Sequence, residues 1–513
     1  MSDPRSLEAR AHELRDRAGA IAAGFSESAD GLTTAACERA VLRLLGVEGL
    51  DAVGRPLAHE VVERFAALGP GRIAGGIALP FAAAVLEYDL TPQALALEVA
   101  EGHVDLGLES ELLQEPERRQ SAERAVREWM DAAWHRADAN RMATGELREM
   151  LREPTPPLVG VDLPTTSAAE TATIAASTIR AGADLVRVAV PRDRELTRAL
   201  GEEVESADAA DDPALAPGGS QRGIAHLRHA VDETAAELGR YVSLASRAVG
   251  LAAPEQAVVA AFERVDLLFS DPLRAVVELG VEPGRALADH RFAFRIVQRA
   301  GTTAVIGASA VAAAPEMARG EPLGATARSG RALALQAIGV ALAGEAGLSP
   351  ERVLVGAAPP DLLVERATLP LGVAEVALRR AVFPGHRLVV DVPEAAEPVA
   401  GWPVAVVAWL PGGESPALLM GHAPAGAGLL DRLRDAAAAA GWLDDGRAIG
   451  AIRGAVLEQA EAALEAALAT LRTLAAEGWE PLLGLPGDAG AAGASRLGAA
   501  RVYERRDYLD PLR

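Results

Sequence analysis

The sequence of 513 residues contains no lysine, so all 50 of its lysine-plus-arginine residues are arginines. A bias toward GC-rich codons accounts for this composition. A chain without lysine cannot form a Schiff base through one of its own side chains. The single cysteine, Cys37, excludes both an internal disulfide framework and a multi-cysteine metal or iron–sulfur site. This cysteine usage favours the cytoplasm as the compartment.

Positive charge is also scarce, because the formal net charge is −22. Binding to nucleic acid needs basic stripes that neutralise phosphates, so nucleic acid is not an expected partner. No uninterrupted apolar run approaches the roughly 18 residues that a membrane span requires. Residues 1–17 are charged and helical in pattern and lack an apolar signal core. The sequence therefore predicts no membrane segment.

What the first 150 residues do contain is helical periodicity. Residues 32–50, LTTAACERAVLRLLGVEGL, resemble one amphipathic helix with a threonine pair before it and Gly46 after it. Thr91 and Pro92 have the residue types of an N-cap and a first helical position. The stretch REPTPP at 152–157 then breaks the pattern and indicates a boundary.

Beyond this boundary, short apolar runs alternate with helical stretches, which is typical of a parallel sheet. Eight such runs predict an α/β fold, a (β/α)8 TIM barrel, with a doubly wound open sheet as the alternative. The interval before the eighth run is too short for a full helix. The predicted strands are residues 157–163, 184–190, 241–246, 265–271, 303–309, 352–358, 387–393 and 404–410.

These patterns divide the chain into three parts. We expect a helical N-terminal accessory region at 1–153, the barrel at 154–430, and a C-terminal helix with a Gly/Ala-rich tail at 431–513. Among the loops, residues 205–220 form a long acidic and then Pro/Gly-rich segment after the second strand.

Familiar catalytic motifs are missing. No Gly-rich phosphate loop follows a strand, and neither His-Glu-x-x-His nor Gly-x-Ser-x-Gly occurs. His226 and His229 share a helix face, where an exposed position is more common than a metal site.

In a TIM barrel the chemistry lies just after the carboxyl ends of the strands. Four arginines there could clamp an anion, although each could also pair with the acidic surface. The arginines are Arg192, Arg194, Arg247 and Arg274. The other candidates for binding a substrate or cofactor are Thr165, Thr166, Ser246, Ser309 and Glu394. The catalytic residues themselves remain unknown, and no metal site is predicted.

Several stretches together resemble the large (α) subunit of D-lysine 5,6-aminomutase. TTAACERAVLRLLGVEGLD at 33–51 is similar to that family's N-terminal Thr-Thr and Glu-Arg-Ala-Val-x-Arg-Leu-Leu-Gly, and 90–106 to its Thr-Pro-Gln helix. Segments 181–190, 237–255 and 263–285 follow the order and spacing of the family, as do the downstream RRAVFPGHRL and the closing YERRDYLDP. The resemblance covers nearly the whole chain.

This resemblance implies a TIM barrel that binds a smaller subunit. That partner would carry adenosylcobalamin and would supply the lysine that holds pyridoxal phosphate. The reaction implied is a radical 1,2-amino shift, catalysed by an isomerase of the aminomutase type. The absence here of lysine and of an Asp-x-His-x-x-Gly cobalamin motif agrees with this division of labour.

The positions that line the family's pocket are mostly changed. The phosphate-gripping motif after the second strand reads VPRDRE at 190–195, and the family's ring-stacking tyrosine aligns with Arg274. The motif after the third strand reads SRAVG at 246–250, and the one after the fifth reads GASAV at 307–311. Scaffold positions persist, among them Pro254, Glu255, Glu263, Asp266 and Asp271.

Three interpretations remain open. The first is an adenosylcobalamin-dependent mutase subunit whose substrate is no longer lysine, whose arginines bind an anionic group, and which holds pyridoxal phosphate weakly or not at all. The second is a non-catalytic paralogue that keeps the barrel and the partner interface. The third is an unrelated barrel lyase or hydrolase that uses Asp162, Asp391 and Glu394.

Overall fold

A computed structural model describes most of the chain. The residues described are 4–51, 54–107, 113–164, 167–189, 221–248, 251–273, 276, 281–307, 324–357, 369–392, 417–421, 453–479, 502–510 and 512. The helices are α1 (Pro4–Ala29), α2 (Ala35–Leu44), α3 (Leu57–Ala67), α4 (Pro70–Gly75), α5 (Ala78–Tyr88), α6 (Pro92–Glu101), α7 (Pro116–Met150), α8 (Ala168–Arg180), α9 (Gln221–Leu238), α10 (Ala253–Phe262), α11 (Pro283–Ala300), α12 (Ala325–Glu345), α13 (Leu369–Val382) and α14 (Arg453–Glu477). The strands are β1 (Leu32–Thr34), β2 (Leu158–Leu163), β3 (Leu185–Ala189), β4 (Ser243–Arg247), β5 (Leu267–Phe269), β6 (Thr303–Ile306), β7 (Val353–Ala357), β8 (Arg387–Val392), β9 (Leu418–Gly421) and β10 (Val502–Glu504).

The predicted helix caps are present in the N-terminal region. The Thr34 hydroxyl accepts a hydrogen bond from the amide of Cys37 at 3.1 Å and begins α2. The Thr91 hydroxyl accepts one from the amide of Ala94 at 3.2 Å, with Pro92 at the first position of α6. Each hydroxyl satisfies a helix N–H that has no partner within its own helix. Local sequence therefore determines where these two helices begin.

Strands β2 to β9 form a closed barrel in which every neighbouring pair is parallel. The barrel closes where β2 pairs with β9, with Val159 opposite Leu419. This arrangement confirms the predicted TIM barrel and seven of its strands. The prediction for the eighth strand was wrong, because the strand that closes the barrel is Leu418–Gly421. The segment 404–410, which was predicted to take this place, lies outside the described residues.

Apolar side chains fill the barrel interior. The interior cluster consists of Leu185, Ala245, Phe269, Val305, Leu354, Val389, Ala417, Leu418 and Met420, with Leu158 and Leu267 packed against it. A Cβ atom added at Gly160 would lie 2.3 Å from the Met420 sulfur, so this glycine makes room for the cluster. The interior is therefore a packed core that supports whatever lies above it.

A buried group of charges joins helix α2 to the barrel, within an apolar cluster that the N-terminal helices and barrel helices share. Arg39 and Arg43 of α2 donate hydrogen bonds from Nε to the two carboxylate oxygens of Glu255, at 2.6 and 3.1 Å. Glu255 lies in the first turn of α10, one of the barrel helices. Burial alone would raise the pKa of Glu255, but the charges of Arg39 and Arg43 outweigh it and lower the pKa to about 2. The contact therefore depends on an ionised carboxylate.

The single cysteine lies beside a second buried carboxylate. Asp289 on α11 accepts hydrogen bonds from the Thr34 hydroxyl and from Nε of Arg285, and the Cys37 sulfur is 3.7 Å from one of its oxygens. Burial, and then the charge of Asp289, raise the pKa of the Cys37 thiol. This thiol is therefore a packing group with little nucleophilic character.

Segments from the early and the late parts of the described chain lie next to each other. Strand β1 pairs antiparallel with β10, and Arg119 of α7 binds Asp507 through two hydrogen bonds of 2.6 and 2.8 Å. Helix α14 packs against α1, α12 and α13.

The three-part division at 1–153, 154–430 and 431–513 stays a prediction. No helix in the described parts of the chain is both long enough and apolar enough to cross a bilayer.

We expect the substitution Glu255→Gln to destabilise the protein by about 3 kcal/mol at pH 7, because it leaves two buried guanidinium groups without their counter-charge. The folded-state pKa of Glu255 lies below its ordinary value of 4.5, so the stabilisation is complete above that value and is lost as the pH falls toward 2. Urea unfolding at a series of pH values measures this, and the difference between wild type and variant should shrink between about pH 5 and about pH 2.

The matched control is Glu237→Gln, which removes a carboxylate that pairs with Arg180 on the surface, with both side chains more than half exposed. Exposed pairs contribute about 0–1 kcal/mol, so this variant should stay close to wild type at every pH. Equal losses in the two variants would contradict the role given to Glu255.

Candidate functional site at the barrel mouth

The polar groups of the site lie directly above the interior cluster, at the carboxyl ends of β2 and β3. Asp162 lies two residues after Gly160, so its side chain is on the same inner face of β2. It pairs in register with Arg187 of β3. Alternation along each strand thus places one acid and one base side by side at the mouth of the barrel.

These two residues form a bidentate ion pair. Nε and Nη2 of Arg187 donate to the two oxygens of Asp162, at 2.5 and 2.8 Å. The guanidinium carbon of Arg187 lies 4.3 Å from the centroid of the Phe269 ring. Such a cation–π contact contributes about 0.5–2 kcal/mol when it is shielded from water. The guanidinium is therefore fixed in place by a carboxylate and by an aromatic ring.

The burial of the two partners differs. The Arg187 side chain is 1% exposed, whereas that of Asp162 is 22% exposed. Asp162 is thus the member of the pair that can meet a ligand entering from solvent. A carboxylate in this position can accept a hydrogen bond from a ligand, while Arg187 beneath it supplies a fixed positive charge.

Two of the predicted site residues lie in the described part of the chain. Arg247, at the end of β4, pairs in register with Phe269 and therefore lies on the inner face, where it is partly exposed. Ser246 pairs with Val188 and Leu268, which pack beneath the outer helices. The structure thus places Arg247 with the mouth residues and Ser246 on the opposite face of the strand.

The other predicted site residues lie outside the described residues. These are Thr165, Thr166, Arg192, Arg194, Arg274, Ser309 and Glu394. Asp391 pairs with Met420 in the register of β8 and β9.

Sequence reasoning missed Arg187, a nearly inaccessible charge in the described part of the mouth. The residue lies inside an apolar run, LVRVA, that otherwise reads as an ordinary buried strand. A charge within such a run is itself the signal that could have revealed it, because a buried arginine needs a partner on a neighbouring strand.

The family of the chain follows from comparison with known sequences. A family model described as the TIM-barrel domain of the alpha subunit of D-lysine 5,6-aminomutase matches residues 7–393. This match covers more than half of the chain, so the chain belongs to this family.

Two relatives are both described as lysine 5,6-aminomutase alpha subunits. The protein of Fusobacterium nucleatum is 28% identical over 281 residues, which are 55% of this chain and 52% of that protein. The protein of Acetoanaerobium sticklandii is 28% identical over 280 residues, again 55% of this chain and 52% of that protein. The chain spans about half the length of these curated relatives.

Solved structures give weaker likenesses. A dihydropteroate synthase from Anaplasma phagocytophilum has a TM-score of 0.35 at 13% identity, covering 55% of this chain and 99% of that one. A rubisco-like protein from Burkholderia fungorum has a TM-score of 0.36 at 14% identity, covering 62% of this chain and 69% of that one. Likenesses of this size do not bear on function.

We expect Asp162→Asn to lower the free energy of unfolding by about 2–4 kcal/mol, because it takes a bidentate charged partner from a buried arginine. The double substitution Asp162→Leu with Arg187→Met should lose less than the sum of the two single changes, since it leaves no buried charge of this pair behind. Chemical unfolding of the wild type, the single variants Asp162→Leu and Arg187→Met, and the double variant measures the coupling. If the losses simply add, the pair is not the fixed unit described above.

Proposed function

We propose that this chain is the large barrel subunit of an adenosylcobalamin-dependent, aminomutase-like isomerase whose substrate is not lysine. The observation that carries the proposal is the family match, which runs from the N-terminal helices through most of the barrel. The reaction class is a radical 1,2-amino shift. When bound, adenosylcobalamin would supply the radical by homolysis of its carbon–cobalt bond.

The residues of this chain do not fit pyridoxal phosphate. The position that the resemblance gives to the ring-stacking tyrosine holds Arg274. The segment that would grip the phosphate reads VPRDRE at 190–195. We therefore assign no step to pyridoxal phosphate, and a lysine that could hold it would have to come from a partner subunit.

We assign substrate binding to Arg247 at the mouth. Arg247 lies on the inner face and is partly exposed, which suits a group that binds a carboxylate or a phosphate of the substrate. The Asp162 carboxylate, held by Arg187, would accept a hydrogen bond from a donor group of the substrate. The apolar cluster beneath excludes water from below. An anionic small molecule is the substrate class that these groups favour.

The partner in this proposal is a small subunit that binds cobalamin and covers the mouth of the barrel. Purification of the chain from its native cell should yield such a subunit, together with the visible absorption of a corrinoid and without that of pyridoxal phosphate. Mass spectrometry and the absorption spectrum of the eluate measure this. A chain that elutes alone, without a corrinoid, would contradict the proposal.

The second candidate is a non-catalytic paralogue, and the changed positions at 190–195 and 274 favour it. It predicts the same small partner but no turnover. An electron paramagnetic resonance signal that appears only when substrate is added to the purified complex would separate the two, because radical chemistry produces unpaired electrons. A complex that stays silent with every diamino acid and acidic amino acid tried would favour the paralogue.

We expect Arg247→Gln to raise KM for the best anionic substrate at least tenfold while changing kcat little, because the arginine would bind a group that does not react. Capture of the small subunit should be unchanged. The matched control is Arg472→Gln on α14, which removes an exposed arginine that pairs with Glu465. If the two variants behave alike in the assay, Arg247 does not contact the substrate.

A further inference from the structure

A cavity lies at the opposite end of the barrel from the mouth. It has a volume of about 250 Å³ and is open to solvent between α7 and the amino-terminal ends of β5 and β6. Three of its lining residues are arginines, namely Arg141, Arg148 and Arg264, and Asp266 is its one carboxylate among the described residues. The cavity is therefore locally basic in a chain of net charge −22.

The carboxylate of Asp266 is already saturated by donors. One of its oxygens accepts from Arg148 at 2.9 Å and from the Tyr241 hydroxyl at 2.5 Å. The other accepts from Arg228 at 3.2 Å and from the amide of Leu244 at 2.9 Å. Four donors neutralise this single acid, so it does not repel an anion in the cavity with its full charge.

Positive charge outnumbers negative charge around the cavity. In the described structure, three carboxylates pair with five arginines: Asp138 with Arg141 and Arg299, Asp232 with Arg228 and Arg264, and Asp266 with Arg148 and Arg228. Arg352 is a sixth arginine nearby, and it donates to the backbone carbonyls of residues 297, 298 and 302. Burial, and then the charge of Arg141, lower the pKa of Arg352. The two guanidinium groups thus repel each other.

Two helix ends that would oppose an anion are capped. Helices α10 and α11 end at the cavity, and a helix C-terminus carries a partial negative charge. The side-chain amide of Asn140 donates to the carbonyls of Ala261 and Phe262 at 3.2 and 2.7 Å. Arg352 does the same at the end of α11. These donors pair with carbonyl groups that would otherwise face an anion in the cavity.

The backbone at Gly301 also leaves room for the side chain of Arg141. Its side chain crosses Gly301, which ends α11 with φ +84°, and a Cβ atom there would lie 2.7 Å from Cδ of Arg141. Glycine thus leaves the space in which Arg141 reaches the cavity. Half of the Arg141 side chain remains exposed, so it can meet a ligand from solvent.

We propose that this cavity binds a small phosphate-type oxyanion, either free phosphate or the phosphate group of a small molecule, between Arg141 and Arg148 of α7 and Arg264 of the barrel. Guanidinium groups match the geometry of phosphate oxygens and stay charged at any physiological pH. The bound anion would join the long helix α7 to the barrel. The cavity shares no lining residue with Asp162, Arg187 or Arg247 at the mouth of the barrel.

Calorimetric titration of the full-length protein with inorganic phosphate tests the proposal. We expect a single saturable site whose affinity falls with added NaCl, and Arg141→Gln should weaken binding at least tenfold. The matched control is Arg127→Gln, which removes an exposed arginine from the same helix away from the cavity and should bind like wild type. Parallel titrations with pyrophosphate and glycerol 3-phosphate compare the sources: tighter binding of the ester identifies a phosphorylated small molecule, and tighter binding of phosphate identifies the free ion.

A second measurement does not depend on any variant. Phosphate should raise the melting temperature of the wild-type protein in the concentration range where calorimetry shows the site filling, because a ligand of the folded state shifts the equilibrium by mass action. Sulfate at equal ionic strength is the control for the general stabilisation that kosmotropic anions give by exclusion from the protein surface. The absence of saturable binding by all three anions would overturn the proposal. So would equal affinities in Arg141→Gln and Arg127→Gln.

Discussion

One buried carboxylate, Glu255, holds two guanidinium groups that come from a distant part of the sequence. Arg39 and Arg43 are both nearly inaccessible to solvent, and burying a guanidinium group is costly unless opposite charge and hydrogen-bond acceptors compensate it. Breaking such a contact costs far more than forming it gains, because a lone buried charge remains. Helix α2 is therefore fixed to the barrel helix α10 by charge, within an apolar cluster that the other N-terminal helices share with the barrel.

The local sequence was sufficient to predict the N-terminal caps of two helices, α2 and α6. The hydroxyls of Thr34 and Thr91 cap their helices as the residue types indicate. The periodicity of α2, however, places Arg39 and Arg43 opposite the apolar face, where an isolated helix would expose them. In the folded chain α10 covers that face. No pattern within α2 could reveal this, because the partner lies more than two hundred residues away.

The eighth barrel strand and part of the site also could not be predicted from local sequence. Residues 404–410 form a longer apolar run than the four residues of Leu418–Gly421, yet the shorter segment pairs with both β2 and β8. Apolar runs of this length do not specify their pairing partners. At the mouth, Asp162 is the next-to-last residue of β2, whereas Arg187 lies in the middle of β3. Of the predicted binding residues in the described structure, Arg247 shares the inner face with this pair and Ser246 does not.

The apolar cluster in the barrel also separates the two ends of the molecule. Side chains such as Leu185, Leu418 and Met420 close the axis, so no solute can diffuse through the barrel from one end to the other. The mouth and the arginine-lined cavity are thus two independent compartments. Strand β5 borders both compartments, because Asp266 before it lines the cavity and Phe269 at its end contacts Arg187 at the mouth.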